Sequence, residues 1–276
     1  MARPQLSGKM IRLNGINQYL IGTFPAKTWN AMFLRICFHP TDWQEYTRIC
    51  DYYMADGYGR LHIYTYQADW AQVVYSHFHT SDVVRNPERR TGPGGSGTSV
   101  PEGPVDLVMV WTGSELAVYH GGRIKYRASC PGTFSGGANN FLIGSIYSLG
   151  NYFKGDIGHV ILHDAVPTPY TGLPEQVYDG QLTATEFLRV HGLTEDDVLC
   201  LWDYRDPDNP GRNYGSGGST YDLTPQNNPL VLDNDFQYEL VDETTPIIEY
   251  PQAIVMGARL RVPRLRGKLR TELCDY

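Results

Sequence analysis

The chain has 276 residues, 41% hydrophobic and 19% charged, with a formal net charge of −7. These are globular proportions, and the length suits one large domain of about 200–250 residues with a remainder. Twenty-nine glycines, 18 prolines and 20 tyrosines favour many turns and strands, so the expected class is all-β. No apolar run approaches the roughly 20 residues that span a bilayer, and the opening MARPQLSGKM lacks the apolar stretch of a secretory signal; neither a membrane span nor Sec export is expected.

Two strands are expected at the N-terminal end, before Trp29. From Trp29 to His39, Met32, Leu34, Ile36 and Phe38 share one face of a strand, and Phe33, Arg35, Cys37 and His39 share the other. Tyr46–Met54, Arg60–Gln67 and Gln72–Phe78 follow as a meander, cut by the turns Asp56-Gly-Tyr-Gly59 and Ala68-Asp-Trp-Ala71. Residues 86–104 are dense in Pro and Gly and predict a long loop without regular elements. Within it Gly92 to Gly97 matches G-x-G-x-x-G, but no helix follows, so a nucleotide site is not expected.

Val105 to Val166 is the most informative stretch. Short apolar runs cut by Thr112-Gly113-Ser114 and Gly121-Gly122 predict hairpins. Leu107, Met109 and Trp111 alternate with Asp106, Val108 and Val110, and Val160 and Leu162 alternate with His159, Ile161 and His163. The polar members predict that at least one sheet face meets water. Ten or more strands are what a two-sheet antiparallel jelly-roll sandwich requires.

Beyond residue 166, Thr183-Ala-Thr-Glu186 is a capping box leading to Phe187, Leu188 and Val190, with Gly192 as a stop; one short helix is expected. A strand is predicted at Val198–Tyr204, followed by a loop that reads as too polar and glycine-rich to pack internally. Gly257 to Arg270 carries Arg259, Arg261, Arg264, Arg266, Lys268 and Arg270 and no acid; removing these six positives from −7 leaves −13 on the remainder. Such asymmetry suggests a C-terminal arm that meets an acidic surface, most simply a partner protein or another copy. Nucleic acid fits less well, because the arm has no aromatic residue to stack on bases and the body is acidic. The expected division is a domain over residues 1–235, with its core at 10–166 and a helix-containing extension at 167–235, and an extended arm over 236–276.

Several of these segments resemble one family. Trp111 and its turn, Glu115-Leu-Ala-Val-Tyr-His-Gly-Gly-Arg123, Phe141-Leu-Ile-Gly144 and Tyr152-Phe-Lys-Gly-Asp-Ile-Gly-His-Val-Ile-Leu-His-Asp-Ala165 are similar to the laminin G-like branch of the concanavalin A-like lectin/glucanase folds. Met10 to Leu20 resembles that family's opening strand, and Trp202 to Thr224 resembles a segment that follows its sandwich. His120 or Gly121 stands where the family usually has Asn or Asp. The resemblance covers about residues 10–166 and implies the sandwich fold; for function it implies little, since one sandwich serves lectins, adhesive modules and glycosidases.

The chemistry narrows this. Glycosidases of this fold set two carboxylates about 5–5.5 Å apart, commonly from alternate residues of one strand. The nearest acid clusters here, Glu195-Asp196-Asp197 and Glu239 with Asp242 and Glu243, are contiguous or in a proline-flanked tail, so no enzyme is expected. His77 and His79 share a strand face as a metal pair would, but a cupin-like ligand set would need Glu at position 83, which is Val; two rim histidines are the plainer reading. Asp203, Asp206, Asp208 and Asn209 form an oxygen-rich run that could hold calcium or simply make a turn; no other cofactor is expected. The cysteines Cys37, Cys50, Cys130, Cys200 and Cys274 are odd in number and never C-x-x-C, which suits buried or free thiols.

For recognition, Tyr58, Trp70, Tyr147 and Tyr152 are the candidate exposed aromatics for a glycan, since sugar sites combine aromatic faces with a few polar groups. The sequence therefore leads to a non-enzymatic binding or structural sandwich. Its expected context is a virion, as a phage capsid decoration or tail protein anchored by the basic arm to other virion proteins or to itself. A soluble or cell-surface lectin, and a glycan-active enzyme with unusual residues, are the alternatives.

Overall fold

A computed structural model of the chain describes residues 9–41, 46–53, 59–68, 71–85, 88–91, 105–177 and 182–232. In chain order the strands are β1 (Met10–Asn14), β2 (Tyr19–Phe24), β3 (Lys27–Trp29), β4 (Met32–Pro40), β5 (Arg48–Tyr53) and β6 (Arg60–Ala68). There follow β7 (Ala71–His79), β8 (Val84–Arg85), β9 (Glu88–Thr91), β10 (Val105–Trp111), β11 (Glu115–His120) and β12 (Arg123–Ser129). The last are β13 (Phe134–Gly136), β14 (Asn139–Ile143), β15 (Lys154–His163), β16 (Cys200–Trp202), β17 (Thr224–Gln226) and β18 (Leu230–Leu232), with one helix, α1 (Ala184–Val190), before β16.

These strands form a two-sheet antiparallel jelly-roll sandwich. One sheet runs β12-β11-β10-β4-β15-β1-β18, with β16 also on β15; the other runs β17-β2-β14-β5-β6-β7-β8, with β9 also on β7; β3 and β13 pair separately as a two-stranded ribbon. The alternation in the sequence decides which side chains meet between them. Met32, Leu34, Ile36 and Phe38 of β4, Leu107, Met109 and Trp111 of β10, and Val160 and Leu162 of β15 point into the common core. From the other sheet come Phe24, Tyr52, Leu61, Ile63, Phe78 and Phe141. Phe24 stacks on Phe141 at 4.9 Å, Phe78 on Phe134 at 4.9 Å, and Trp111 Nε1 donates to the Cys130 carbonyl at 2.8 Å, so the buried indole keeps its hydrogen bond. Cys37, Cys50, Cys130 and Cys200 are buried, and among the described residues none is in a disulfide.

The second face of the first sheet is covered across β10, β4 and β15, and water is met at its edge, where Arg123, Lys125 and Arg127 of β12 are exposed. Phe33, Val108, Val110, Tyr119 and Ile161 are covered by Tyr170, Leu173, Phe187, Leu188 and Leu201 of the extension. The polar residues on that face are buried with it: Arg35 Nε donates to Asp106 Oδ1 at 3.2 Å, Arg35 Nη2 donates to the Leu182 carbonyl at 3.0 Å, and the guanidinium lies 4.7 Å from the Phe187 ring. Ion pairing and burial thus account for the polar half of the alternation.

The extension holds its shape by explicit local bonds. Thr183 and Glu186 close the capping box at the start of α1. At its end Gly192, with φ +65°, lets Leu193 N reach the Leu188 carbonyl at 2.8 Å and Gly192 N the Arg189 carbonyl at 3.2 Å, a Schellman stop. The strand expected at 198–204 contracts to β16. The glycine-rich loop after it packs tightly, against expectation. Buried Asn213 accepts at Oδ1 from Leu201 N (2.8 Å) and Gly215 N (2.9 Å), and donates from Nδ2 to the carbonyls of Leu199 (3.2 Å) and Gly218 (3.1 Å). Glycine makes this close approach feasible: a Cβ on Gly211 would lie 1.7 Å from the Leu223 carbonyl oxygen. Within the stretch expected to lack regular elements, Glu88–Thr91 pairs with β7: Pro87 stands just before this short strand and Gly92-Pro93 just after it. The boundary expected at residue 235 lies outside the described residues. No helix among the described residues is long and apolar enough to cross a membrane.

Candidate functional site

The outer face of the second sheet is built from rungs that the register sets opposite one another. Across β5 and β6, Tyr53 faces Arg60, Asp51 faces His62 and Arg48 faces Tyr64. On the next rungs His62 faces His77 and Arg60 faces His79 of β7, while Leu142 of β14 faces Asp51. Side chains two residues apart along a strand share a face, so Arg60, His62 and Tyr64 form one row that turns away from the core. The β-bulge between Arg48 and Cys50 sends Ile49 and Cys50 into the core and leaves Arg48 on the outer face.

The segment from Gly144 to Phe153 folds back over this face. Its base is pinned where Gly144 N donates to the Ile49 carbonyl (2.9 Å), Phe153 N to the Gly144 carbonyl (3.0 Å) and Arg48 N to the Asn151 carbonyl (2.8 Å). Its tip is pinned where Tyr147 N donates to Asp51 Oδ2 at 2.8 Å. The Tyr147 ring stacks on Tyr53 at 4.7 Å, and the Arg60 guanidinium lies 5.1 Å from the Tyr53 centroid and 5.7 Å from that of Tyr147. At the other end Arg48 lies 4.2 Å over Tyr64, and Tyr152 packs 5.8 Å from Tyr19.

Beneath these aromatics lie polar groups that the protein does not satisfy. Asp51 is fully buried, His62 is 4% and Arg48 8% exposed. Asp51 Oδ1 and His62 Nδ1 are 3.6 Å apart, an electrostatic contact too long for a hydrogen bond. Asp51 Oδ1, His62 Nδ1, Arg48 Nε and Nη1, and Arg60 Nε therefore all lack a hydrogen-bond partner within the protein. Burial pushes the His62 pKa down, and Arg60 and Arg48 push it further, against the opposing pull of Asp51. Burial also lowers Arg48, with Asp51 opposing. Buried polar groups in folded proteins are generally satisfied, so this set on one sheet face calls for water, an ion or a ligand as its partner.

The rim adds two further observations. Tyr46, Tyr147 and Leu149, all at this rim, are 46%, 47% and 49% exposed. Tyr46, Leu149 and Asn151 hold φ of 60°, 56° and 49°, the left-handed region that non-glycine residues adopt at a cost.

Two of the four aromatics expected to face a ligand lie in this loop, Tyr147 at its tip and Tyr152 at its base; Tyr58 and Trp70 lie outside the described residues. So do Gly92 to Gly97, Cys274, the tail acids Glu239, Asp242 and Glu243, and the arm residues Arg259, Arg261, Arg264, Arg266, Lys268 and Arg270. The histidine pair His77 and His79 joins the same face, with His77 4.4 Å from His62 and 6.5 Å from His79. Among the described residues no group of three or more His, Cys, Asp or Glu could hold a metal ion. The oxygen-rich run is occupied otherwise: Asp203 pairs with Arg205, and Asp206 Oδ1 accepts from Asp208 N at 3.1 Å. Glu195 pairs with Arg205 at 2.7 Å and Asp197 caps Thr194, so these acids do not form a facing pair. Arg48, Asp51, Tyr53, Arg60 and His62 were not expected; the signal available was the polar alternation Arg60, His62, Tyr64.

No family model and no curated protein matches the chain. Among solved structures it is similar to the heptameric SAP-like pentraxin of Limulus polyphemus, at 13% identity and TM-score 0.42, covering 58% of this chain and 78% of that one. It is similar to domains LG4-5 of the mouse laminin alpha1 chain, at 10% identity and TM-score 0.41, over 57% of this chain and 41% of that one. It is also similar to the CBM40 of a Ruminococcus gnavus IT-sialidase, described as bound to alpha2,3 sialyllactose, at 11% identity and TM-score 0.39, over 56% and 92%. At these identities and TM-scores the likenesses carry no assignment of function, which is argued from the residues.

Proposed function

We propose that the chain is a non-catalytic, glycan-binding β-sandwich whose site is the outer face of β5, β6 and β7 with the Gly144–Phe153 loop. The observation that carries this is the set of buried, unpartnered atoms of Asp51, His62 and Arg48 under the exposed Tyr147. A sugar ring offers what this face needs: hydroxyls that both donate and accept, suited to a carboxylate oxygen beside guanidinium N–H groups, and C–H faces that pack on tyrosine. Asp51 is the carboxylate of the cluster, and a glycosidase requires a pair. The test is a glycan array probed with the whole chain and with Tyr147→Ala. Signals that fall together in the variant support the reading; a folded protein that retains no glycan ends it.

The basic arm supports a second role, attachment to a partner such as a particle of virion proteins, since six positives without an acid are set against −13 elsewhere. Removing residues 257–276 should abolish attachment and leave the sandwich folded. Attachment that survives the deletion removes the anchor.

A further inference from the structure

We propose that the glycan bound at this face carries a carboxylate, which sets itself against Arg48 and Arg60; this rests on the glycan-binding reading and narrows its ligand class. The balance of groups points there. Two guanidiniums flank one carboxylate, and that carboxylate already accepts the Tyr147 amide with one oxygen and faces His62 with the other. Three guanidinium nitrogens, Arg48 Nε and Nη1 and Arg60 Nε, have no acceptor, and of the unpartnered atoms beside them Asp51 Oδ1 alone carries negative charge, the His62 ring nitrogen being neutral. A neutral sugar could satisfy some of these donors, but the surplus positive charge would remain. A carboxylate supplies charge and acceptors together, and charge-assisted bonds are roughly twice as strong as neutral ones. The site is also cationic within a chain of net charge −7, so the local surplus is not a general property of the surface.

Access follows from the same geometry. Arg48 lies under the loop that carries Tyr147, and the Arg60 guanidinium lies against the Tyr147 ring. The tip of that loop is held to the sheet by the Tyr147 amide on Asp51, and its residues Leu149 and Asn151 sit in left-handed backbone conformations. The ligand reaches the guanidiniums by displacing this tip, and its ring then lies where the exposed Tyr147 can pack on it.

The experiment uses two matched pairs of probes with the whole chain: 3′-sialyllactose against lactose, and a tetrameric oligogalacturonate against its methyl ester. The expected result is that an acidic member binds at least tenfold more tightly than its neutral counterpart, and that Arg60→Gln erases the margin while Arg60→Lys keeps part of it. Arg48→Gln should act likewise, and thermal unfolding shows whether that more buried variant remains folded. Neutral and acidic members bound equally would overturn the carboxylate and leave glycan binding standing. Retention of none of the four by folded protein would overturn both.

Discussion

The backbone amide of Tyr147 donates to Asp51 Oδ2 at 2.8 Å, tying a surface loop to a fully buried carboxylate on the sheet beneath it. One oxygen of Asp51 thus shapes the loop while the other stays available beside His62.

Replacing Asp51 by Ala should therefore act twice. It leaves the Tyr147 amide without its acceptor and the nearby guanidiniums without a counter-charge, at about 1–3 kcal/mol for each buried group left unpaired. Denaturant unfolding should show the loss, and hydrogen exchange should quicken at residues 145–151. Unchanged exchange there would mean the bond does not hold the loop.

The buried histidines should make stability depend on pH. His62 is held below its ordinary value of 6.5 first by burial, then by Arg60 and Arg48 against Asp51, with Tyr64 and His77 also packed around it. His159 is held well below it by burial and then by Arg35. A folded pKa under the unfolded one means that the unfolded chain binds more protons in the interval between them. This stability is fully present above about pH 6.5 and is lost as pH falls through the folded values. The denaturation midpoint should drop steadily below pH 6.5, and His159→Gln should flatten the drop; a midpoint level from pH 7 to 5 would contradict it.

Asn213 should be among the most sensitive polar positions. Changing it to Asp swaps the Nδ2 donor for an acceptor facing the Leu199 and Gly218 carbonyls, and changing it to Leu removes the bonds to Leu201 N and Gly215 N as well. Each variant should lose at least about 1–3 kcal/mol in denaturant melts, the cost of one buried polar group left unsatisfied. A change within about 0.5 kcal/mol, the range of ordinary surface substitutions, would show the loop to be ornamental.

Breaking the Arg35–Asp106 pair should cost more than removing both partners. Arg35→Met alone removes the counter-charge of a buried carboxylate and should destabilise by about 3–5 kcal/mol, whereas the double change to apolar residues should recover much of it. Equal losses in single and double variants would mean that the pair adds packing and no coupling.

The core was legible because period-two alternation is a local property. Met32, Leu34, Ile36 and Phe38 separate from Phe33, Arg35 and Cys37 in the sequence as they do between the two faces of β4. What covers the second face was not legible, because Val108 and Ile161 meet Phe187 and Leu201 only through contacts distant in sequence. The proposed site divides the same way. Tyr147 and Tyr152 stand out as aromatics beside turn residues, but the rung that joins Asp51 to His62 depends on strand register, and Arg48 reaches the outer face through a bulge. The glycine-rich loop misled because glycine marks both flexible chain and close backbone approach. Gly211 against Leu223 is of the second kind.

The most direct test of the central claim is to map the bound sugar on the protein by amide chemical-shift perturbation during titration with 3′-sialyllactose and oligogalacturonate. Shifts concentrated at Asp51, Arg60, His62 and residues 145–151 are the predicted result. Shifts confined to other surfaces of the sandwich, or no saturable shifts at millimolar ligand, would contradict it.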